Sequence, residues 1–237
     1  MKPTVEILIP NQNAFEALEL CIESIRKHTK YPYKIRVYDD ASTNKVDIEY
    51  LTKQEDVITF RGYDKKGHGG SVNTLLAYCE ADYGMILDCD MQILERGWLT
   101  EMVALMNDDI VIITSVENDY NSHRPSLPVW FKSWFMMVNI KAYRDGMVSD
   151  WSNATVEYKG KEVFSPVGGR FWLKILNDNP KSYKIIDVPK SIEKKYYHIA
   201  HVSVISMENH VDQPEIAKVK DAKFAEIRTA LKKLRGQ

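Results

Sequence analysis

Asp88 and Asp90 are the side chains of this 237-residue sequence whose types and spacing point most directly to chemistry. They follow an apolar run at residues 83–87 that is typical of a buried strand. Two carboxylates at a strand end can share one hard cation, and Mg²⁺ or Mn²⁺ held in this way often takes substrate phosphates as its other ligands. The alternative is a solvated turn, in which aspartate is favoured for its hydrogen bonds to the backbone. A calcium loop is disfavoured because Ile93 stands where that loop needs glycine.

A second acidic pair, Asp39 and Asp40, follows another apolar run in the same way. A carboxylate at this place could accept the N3 proton of a uracil base or the proton of a ribose hydroxyl. The alternative is an ordinary helix start, capped by Ser42 or Thr43.

Glycines are concentrated in residues 67–73, before a helix that we predict to begin at about Thr74. Backbone N–H groups at such a helix start could contact a phosphate. The segment is not a P-loop, since His68-Gly69 replaces the required Lys-Ser/Thr, and it lacks the third glycine of a dinucleotide fingerprint. A plain flexible loop is the alternative.

The second half of the chain offers histidines and tryptophans. His198 and His201 lie three positions apart on a predicted strand, so they face opposite sides and only one of them would enter a given site. All five tryptophans lie between residues 98 and 172. Aromatic faces pack well on pyranose rings, so these side chains form either a sugar platform or simply part of the core.

Short apolar runs alternate with amphipathic stretches through the first 115 residues or so, which predicts an α/β fold with a mainly parallel sheet flanked by helices. Strands are predicted at residues 5–9, 34–38, 57–60, 83–87 and 110–114, with helices at 15–29, 74–80 and 99–106. Ligands of such sheets lie at the carboxyl ends of the strands. Both acidic pairs and Pro10-Asn11 occur at strand ends, so we expect them in one cleft.

The remainder of the chain contains no repeat or linker, which predicts a single domain over residues 1–237. Further strands are predicted at residues 129–140, 183–188 and 196–206, with a hairpin at 156–164 that turns at Lys159-Gly160 and a charged helix at 215–234. We expect two halves, at about 1–110 and about 111–212, and a C-terminal helix at about 213–237.

The overall composition argues against several classes of protein. The 32 Lys and Arg residues balance 33 Asp and Glu residues, which disfavours a general nucleic-acid binder. Cys21, Cys79 and Cys89 are odd in number and lack metal-type spacing, as in a reduced compartment. The N-terminus reaches an acid and a proline too soon for a signal peptide, and no apolar run approaches the ~18 residues of a membrane helix. We therefore expect a cytoplasmic protein.

Four motifs in the first 100 residues or so resemble, in order and spacing, those of GT-A glycosyltransferases of family 2. They are VEILIPNQN at residues 5–13, IRVYDDAST at 35–43, GHGGSVN at 67–73 and MILDCD at 85–90. The resemblance implies a GT-A (Rossmann-like) fold, in which the half at about 1–110 binds the nucleotide-sugar and the half at about 111–212 binds the acceptor, and a transfer dependent on Mn²⁺ or Mg²⁺. A sugar would pass from a nucleoside-diphosphate sugar, with UDP as the expected nucleotide, to a hydroxyl of a glycan, lipid-linked or other acceptor.

The resemblance also implies roles for particular residues. Asp40 would recognise the base, Asp88 would contact the ribose, and Asp90 would bind the cation that bridges the diphosphate. His198 matches the first histidine of an H-x-G-x-x-S segment, in which Ala200 replaces the glycine, and would be a second metal ligand. The other residues expected to bind the nucleotide are Pro10, Asn11, Asp39, Gly70 and Asn73.

One motif departs from the family pattern. Inverting members carry a Glu-Asp pair whose aspartate is the general base, whereas residues 166–172 here read PVGGRFW and hold no carboxylate. Asp150 is the candidate base, with Glu157 as an alternative, and Arg170 could neutralise the leaving diphosphate. This leaves open an inverting enzyme, a retaining enzyme and a non-catalytic nucleotide-sugar-binding protein. A nucleotidyltransferase acting on a sugar phosphate is a further alternative.

Overall fold

Seven strands form the central sheet in a computed structural model, which describes residues 2–118, 124–199 and 214–237. The described strands are β1 Val5–Asn11, β2 Lys34–Asp39, β3 Val57–Arg61, β4 Tyr83–Leu87, β5 Met91–Ile93, β6 Ile110–Asn118, β7 Val129–Asn139, β8 Ala154–Tyr158, β9 Lys161–Ser165, β10 Lys184–Ile186 and β11 Tyr196–His198. The order in the sheet is β10-β6-β7-β4-β1-β2-β3, and β7 alone runs antiparallel to its neighbours. The expected α/β fold with a mainly parallel sheet is confirmed.

Helices cover both faces of this sheet. They are α1 Phe15–His28, α2 Lys45–Thr52, α3 Gly67–Tyr78, α4 Trp98–Leu105, α5 Ile140–Ala142, α6 Gly169–Asn177, α7 Lys190–Glu193 and α8 Pro214–Arg235, and a π-helical turn, Tyr143–Met147, follows α5. Among the described residues, no helix combines the length and the apolar composition that crossing a membrane requires.

The strand period of two divides the core into two layers. In β1, Ile7 and Ile9 pack into the layer that contains α1, α4 and part of α8, whereas Leu8 packs into the layer that contains α3 and α6. Because β1 and β4 are covered on both faces, their sequences are mostly apolar; the exception is Glu6 of β1, which is buried and forms an ion pair with Arg36.

Several predicted boundaries differ from the observed ones. Helix α3 begins at Gly67 and not near Thr74, so residues 67–73 are its first half and not a loop. Glycine lowers helix propensity, which hid this start in the sequence. Helices α2 and α6 and strand β5 were not predicted, whereas the hairpin of β8 and β9 is confirmed. The predicted strand at 196–206 is observed as β11, and its residues from 200 onward lie outside the described residues.

Candidate functional site

The turn between β4 and β5 carries Asp88 and Asp90, and strand β11 brings His198 beside them. Strand β11 pairs antiparallel with β5, with His198 opposite Met91. The Nε2 atom of His198 lies 3.1 Å from Oδ1 of Asp90, although the two residues are 108 positions apart. One ligand atom from each of the three side chains lies within 4.8 Å of the others. His201 lies outside the described residues.

The chemistry of this cluster fits a divalent cation. Oδ1 of Asp88 is buried and has no hydrogen-bond partner. Burial raises the pKa of Asp88, an effect that His68 opposes and Asp90 reinforces. Carboxylate oxygens with an imidazole nitrogen are ligands that Mn²⁺ accepts, and a cation would offset the cost of placing two carboxylates together.

A cavity of about 130 Å³ opens beside the cluster. It lies at the carboxyl ends of β1, β2 and β4, where a parallel sheet places its ligands. Its lining residues are Pro10, Asn11, Gln12, Asp40, Gly67, His68, Ser71, Asp88, Cys89 and Asp90. The structure thus brings together most of the residues that the sequence predicted for nucleotide and metal binding.

Asp39 and Asp40 connect the strand ends that surround this cavity. Asp39 is buried and accepts a hydrogen bond from Nδ2 of Asn11 at 3.0 Å and another from the Ser42 hydroxyl. Asp40 accepts hydrogen bonds from the backbone N–H groups of Lys66 and Gly67, both at 2.8 Å. A carboxylate therefore already occupies the positive end of α3, where we expected a phosphate to bind.

Gly70 and Asn73 of the same helix do not line the cavity. A Cβ atom at Gly70 would meet Cβ of Lys66 at 2.6 Å, so this glycine allows close packing within the helix start. Asn73 donates to Oδ1 of Asp150 at 2.6 Å and accepts from the backbone N–H of Trp151 at 2.9 Å. Their nucleotide-binding roles stay predictions, with a packing role observed for both.

Asp150 and Arg170, the predicted catalytic pair, form an ion pair of 2.6 Å with each other and lie outside the cavity lining. Arg170 also donates to the carbonyl oxygen of Ser152 at 3.0 Å. Burial raises the pKa of Asp150, but hydrogen bonds from Ser152 and Asn73 and the charge of Arg170 outweigh it, so the pKa falls to about 2. In this arrangement Asp150 is a weak base near neutral pH.

A bulge in β7 positions Trp134 and supplies one residue near the site, Ser133, that the sequence did not predict. Thr114 of β6 pairs with Met136 and Val116 pairs with Phe131, so four residues of β7 stand opposite one residue of β6. The Thr114 hydroxyl donates to the carbonyl oxygen of Lys132 at 3.1 Å and closes the bulge. Bulges next to functional sites commonly redirect side chains, and this one holds Ser133 and Trp134.

From the bulge, Trp134 contacts the acidic turn directly, whereas Ser133 contacts His68, which faces Asp88. The carbonyl oxygen of Trp134 accepts a hydrogen bond from the backbone N–H of Asp88 at 3.0 Å. The indole ring of Trp134 stacks on the imidazole ring of His198, with centroids 4.8 Å apart. The Ser133 hydroxyl lies 3.3 Å from Nε2 of His68, whose Nδ1 lies 3.6 Å from Oδ1 of Asp88. No pattern in the sequence marks a bulge, so these contacts could not be read from it.

The tryptophans divide between core and site. Trp98 and Trp151 are fully buried, as the core interpretation expects. Trp134 is partly exposed and contacts Trp130 edge to face at 5.2 Å. The sugar-platform interpretation therefore stays a prediction for the partly exposed Trp130, Trp134 and Trp172.

Comparison with known proteins agrees with this geometry. A family model described as glycosyl transferase family 2 matches residues 6–159, which is more than half of the chain. The chain belongs to glycosyltransferase family 2. Over 117 residues, this family 2 chain is 29% identical to a chondroitin synthase of Pasteurella multocida (strain Pm70), a match that covers 46% of this chain and 12% of that synthase.

Two solved structures share the fold of this chain at low sequence identity. The mannosyltransferase PcManGT from Pyrobaculum calidifontis, in complex with GDP-Man and Mn²⁺, superimposes with a TM-score of 0.58 and 16% identity over 80% of this family 2 chain and 56% of PcManGT. Residues 1–349 of S. aureus TarS superimpose with a TM-score of 0.53 and 14% identity, over 97% of this chain and 72% of that structure. The chain thus spans a small part of the chondroitin synthase and just over half of PcManGT.

Proposed function

We propose that this chain transfers a sugar from a nucleoside-diphosphate sugar, with UDP as the expected nucleotide, to a hydroxyl of a glycan or lipid-linked acceptor, with Mn²⁺ or Mg²⁺ as cofactor. The observation that carries the proposal is the cluster of Asp88, Asp90 and His198 beside the cavity at the strand ends. Membership of glycosyltransferase family 2 supports it, as does the GDP-Man and Mn²⁺ complex of PcManGT.

Asp90 and His198 would hold the cation. When bound, this ion neutralises the charge that develops on the diphosphate as it leaves. Asp40 would accept a hydrogen bond from the base, because a carboxylate has about four lone-pair sites and the two backbone N–H groups occupy only two of them. Asp88 would contact the ribose from the floor of the cavity, and Pro10 and Asn11 would line the base pocket.

Asp150 and Arg170 enter the proposal with a conformational requirement. Asp150 acts as the base only after it exchanges its ion pair with Arg170 for the acceptor hydroxyl, and that exchange also frees Arg170 to approach the diphosphate. A pKa of about 2 in the observed arrangement makes the exchange necessary for base catalysis near neutral pH.

The test is the variant Asp90→Asn, which keeps the size of the side chain but removes its charge. With a panel of UDP-, GDP-, TDP- and CMP-sugars and Mn²⁺, the wild type should release nucleoside diphosphate from one of the first three donors, and the CMP-sugar, which would release CMP, is the negative control. The rate of the variant should be at least about 100-fold lower than that of the wild type, as expected when charge stabilisation in the transition state is removed. Asp64→Asn, at an exposed position, is the matched control and should keep full activity. Undiminished transfer by Asp90→Asn would refute the proposal.

A non-catalytic nucleotide-sugar-binding protein is the second candidate. The observation that favours it is the start of α6 at Gly169-Arg170, without the acidic pair that inverting members carry there. Such a protein would bind UDP in the presence of Mn²⁺ and release no nucleotide from any donor sugar. The donor panel therefore separates the two candidates.

A further inference from the structure

Two polar side chains in the cavity wall, His68 and Asp88, face each other without forming a hydrogen bond. Nδ1 of His68 and Oδ1 of Asp88 face each other at 3.6 Å, which is too far for a hydrogen bond. Oδ1 of Asp88 is buried without a hydrogen-bond partner. Both residues line the cavity, and the residues proposed to hold the cation are Asp90 and His198, which leaves Oδ1 of Asp88 for another ligand group. An acceptor that loses water without gaining a partner is costly, so this atom is one of two in the cavity lining, with Oδ1 of Asn11, that a ligand donor would stabilise.

Ser133 determines which group His68 presents to Asp88. Its hydroxyl lies 3.3 Å from Nε2 of His68. If that hydroxyl donates to Nε2, the neutral ring carries its hydrogen on Nδ1 and directs an N–H at the carboxylate. The other tautomer would place a nitrogen lone pair against the carboxylate oxygen, and two acceptors repel each other. The electrostatics therefore favour the tautomer with hydrogen on Nδ1.

The N–H of His68 and the carboxylate of Asp88 together favour a ligand group that both accepts and donates a hydrogen bond. A phosphate oxygen is negative and only accepts hydrogen bonds, so Asp88 would repel it. A hydroxyl accepts from the N–H and donates to the carboxylate, and an oxygen at about 2.8 Å from both atoms completes a triangle over the 3.6 Å base. We infer that His68 and Asp88 together bind one sugar hydroxyl of the nucleotide-sugar, and that His68 makes the site selective for donors that carry it.

The pair is held in place from both sides, as a specificity site requires. His68 follows Gly67, whose N–H is bonded to Asp40, so the first turn of α3 is anchored. Ser133 belongs to the β7 bulge that Thr114 closes. A preorganised site that hydrogen-bonds a substrate hydroxyl rejects the analogue that lacks it, because its own polar groups are then left unpaired.

The inference rests on the proposed function, and its test measures binding, not turnover. The probes are UDP, 2′-deoxy-UDP and 3′-deoxy-UDP, titrated calorimetrically in the presence of Mn²⁺. The wild type should bind one deoxy analogue about 10–100-fold more weakly than UDP, the range expected for a hydrogen bond to a charged group. A second arm compares UDP-glucose with UDP-deoxyglucoses, so a hydroxyl of the transferred sugar is distinguished from a ribose hydroxyl.

Two amide variants of His68 separate hydrogen bonding from structural damage. The amide nitrogen of His68→Asn can take the place of Nδ1, so this variant should keep the discrimination against the deoxy compound. The longer His68→Gln directs its amide toward Ser133, so it should reduce the ratio of dissociation constants to within about threefold. This ratio cancels any general weakening, since a distorted cavity lowers the affinity for both nucleotides.

The outcomes separate the two hypotheses. A wild type that binds no nucleotide with Mn²⁺ refutes the proposed function, and this inference with it. A wild type that binds UDP but discriminates in neither arm refutes the inference alone. Full discrimination retained by His68→Gln also refutes it, because the hydroxyl is then read without the Nδ1 donor.

Discussion

The carboxylate of Asp40 caps the N-terminus of α3, and the variant Asp40→Asn tests how much that contact stabilises the fold. Asp40 is buried, and its two oxygens accept the N–H groups of Lys66 and Gly67, each at 2.8 Å. Asparagine offers one acceptor oxygen and replaces the other with an amide nitrogen. The variant therefore places a donor against one of the two backbone N–H groups and leaves that group unpaired.

The magnitude follows from these two contacts. Leaving a buried backbone N–H without its acceptor costs about 1–3 kcal/mol. Loss of the negative charge at the helix N-terminus adds about 0.3–1 kcal/mol. We expect the free energy of unfolding to fall by about 2 kcal/mol, which lowers the melting temperature of a chain of this size by about 4–8 °C.

Thermal and urea unfolding of the ligand-free protein, followed by circular dichroism, provide the assay. Asp64→Asn is the control, since Asp64 is exposed two residues before Lys66 and its replacement should change stability by less than about 0.5 kcal/mol. We take ~1 °C as the resolution of the assay. If Asp40→Asn melts within ~1 °C of the wild type, the capping carboxylate contributes little to stability.

Two further predictions concern the contact between α3 and the segment that holds Asp150. A Cβ atom at Gly69 would lie 2.4 Å from the carbonyl oxygen of Trp151. Gly69→Ala should therefore lower the free energy of unfolding in urea by about 1–2 kcal/mol, and a stabilised variant would contradict this packing argument. Asp150→Asn should cost no more than about 1 kcal/mol at pH 7, because the carboxylate is half-exposed and its ion pair with Arg170 is screened by solvent. Since the folded pKa of Asp150 is depressed to about 2, its contribution is present above the unfolded pKa of about 3.9 and is lost as the pH falls toward 2. The melting temperatures of wild type and variant should thus converge between pH 4 and 2, and a gap that widens there would refute the assignment.

Features that depend on neighbouring residues could be predicted from the sequence. The apolar runs of β1 and β4 indicated strands buried on both faces, and the aspartates that follow β4 indicated polar groups at a carboxyl end. Both are local patterns, because the types of consecutive residues indicate whether a strand is buried and where it ends. The turn of the β8–β9 hairpin at Lys159-Gly160 was predictable for the same reason.

Features that depend on distant residues could not be predicted. The start of α3 was missed because its glycines disfavour a helix on their own, and a carboxylate from the end of β2 caps it. Asp150 was a reasonable base by its position in the chain, but the fold pairs it with Arg170 and lowers its pKa. The pKa of a side chain depends on the groups that it contacts, and tertiary packing determines which groups those are.

The sequence by itself therefore determined the α/β architecture, the family and the acidic residues at the strand ends. These features follow from periodicity and from motifs that each lie within a few consecutive residues. Only the tertiary structure decided which groups meet those acids. The pairing of β11 with β5 brings His198 to Asp90, and the bulge in β7 brings Ser133 to His68. The physical reason is that strand register and bulges depend on contacts between segments far apart in the chain, so no stretch of sequence specifies them alone.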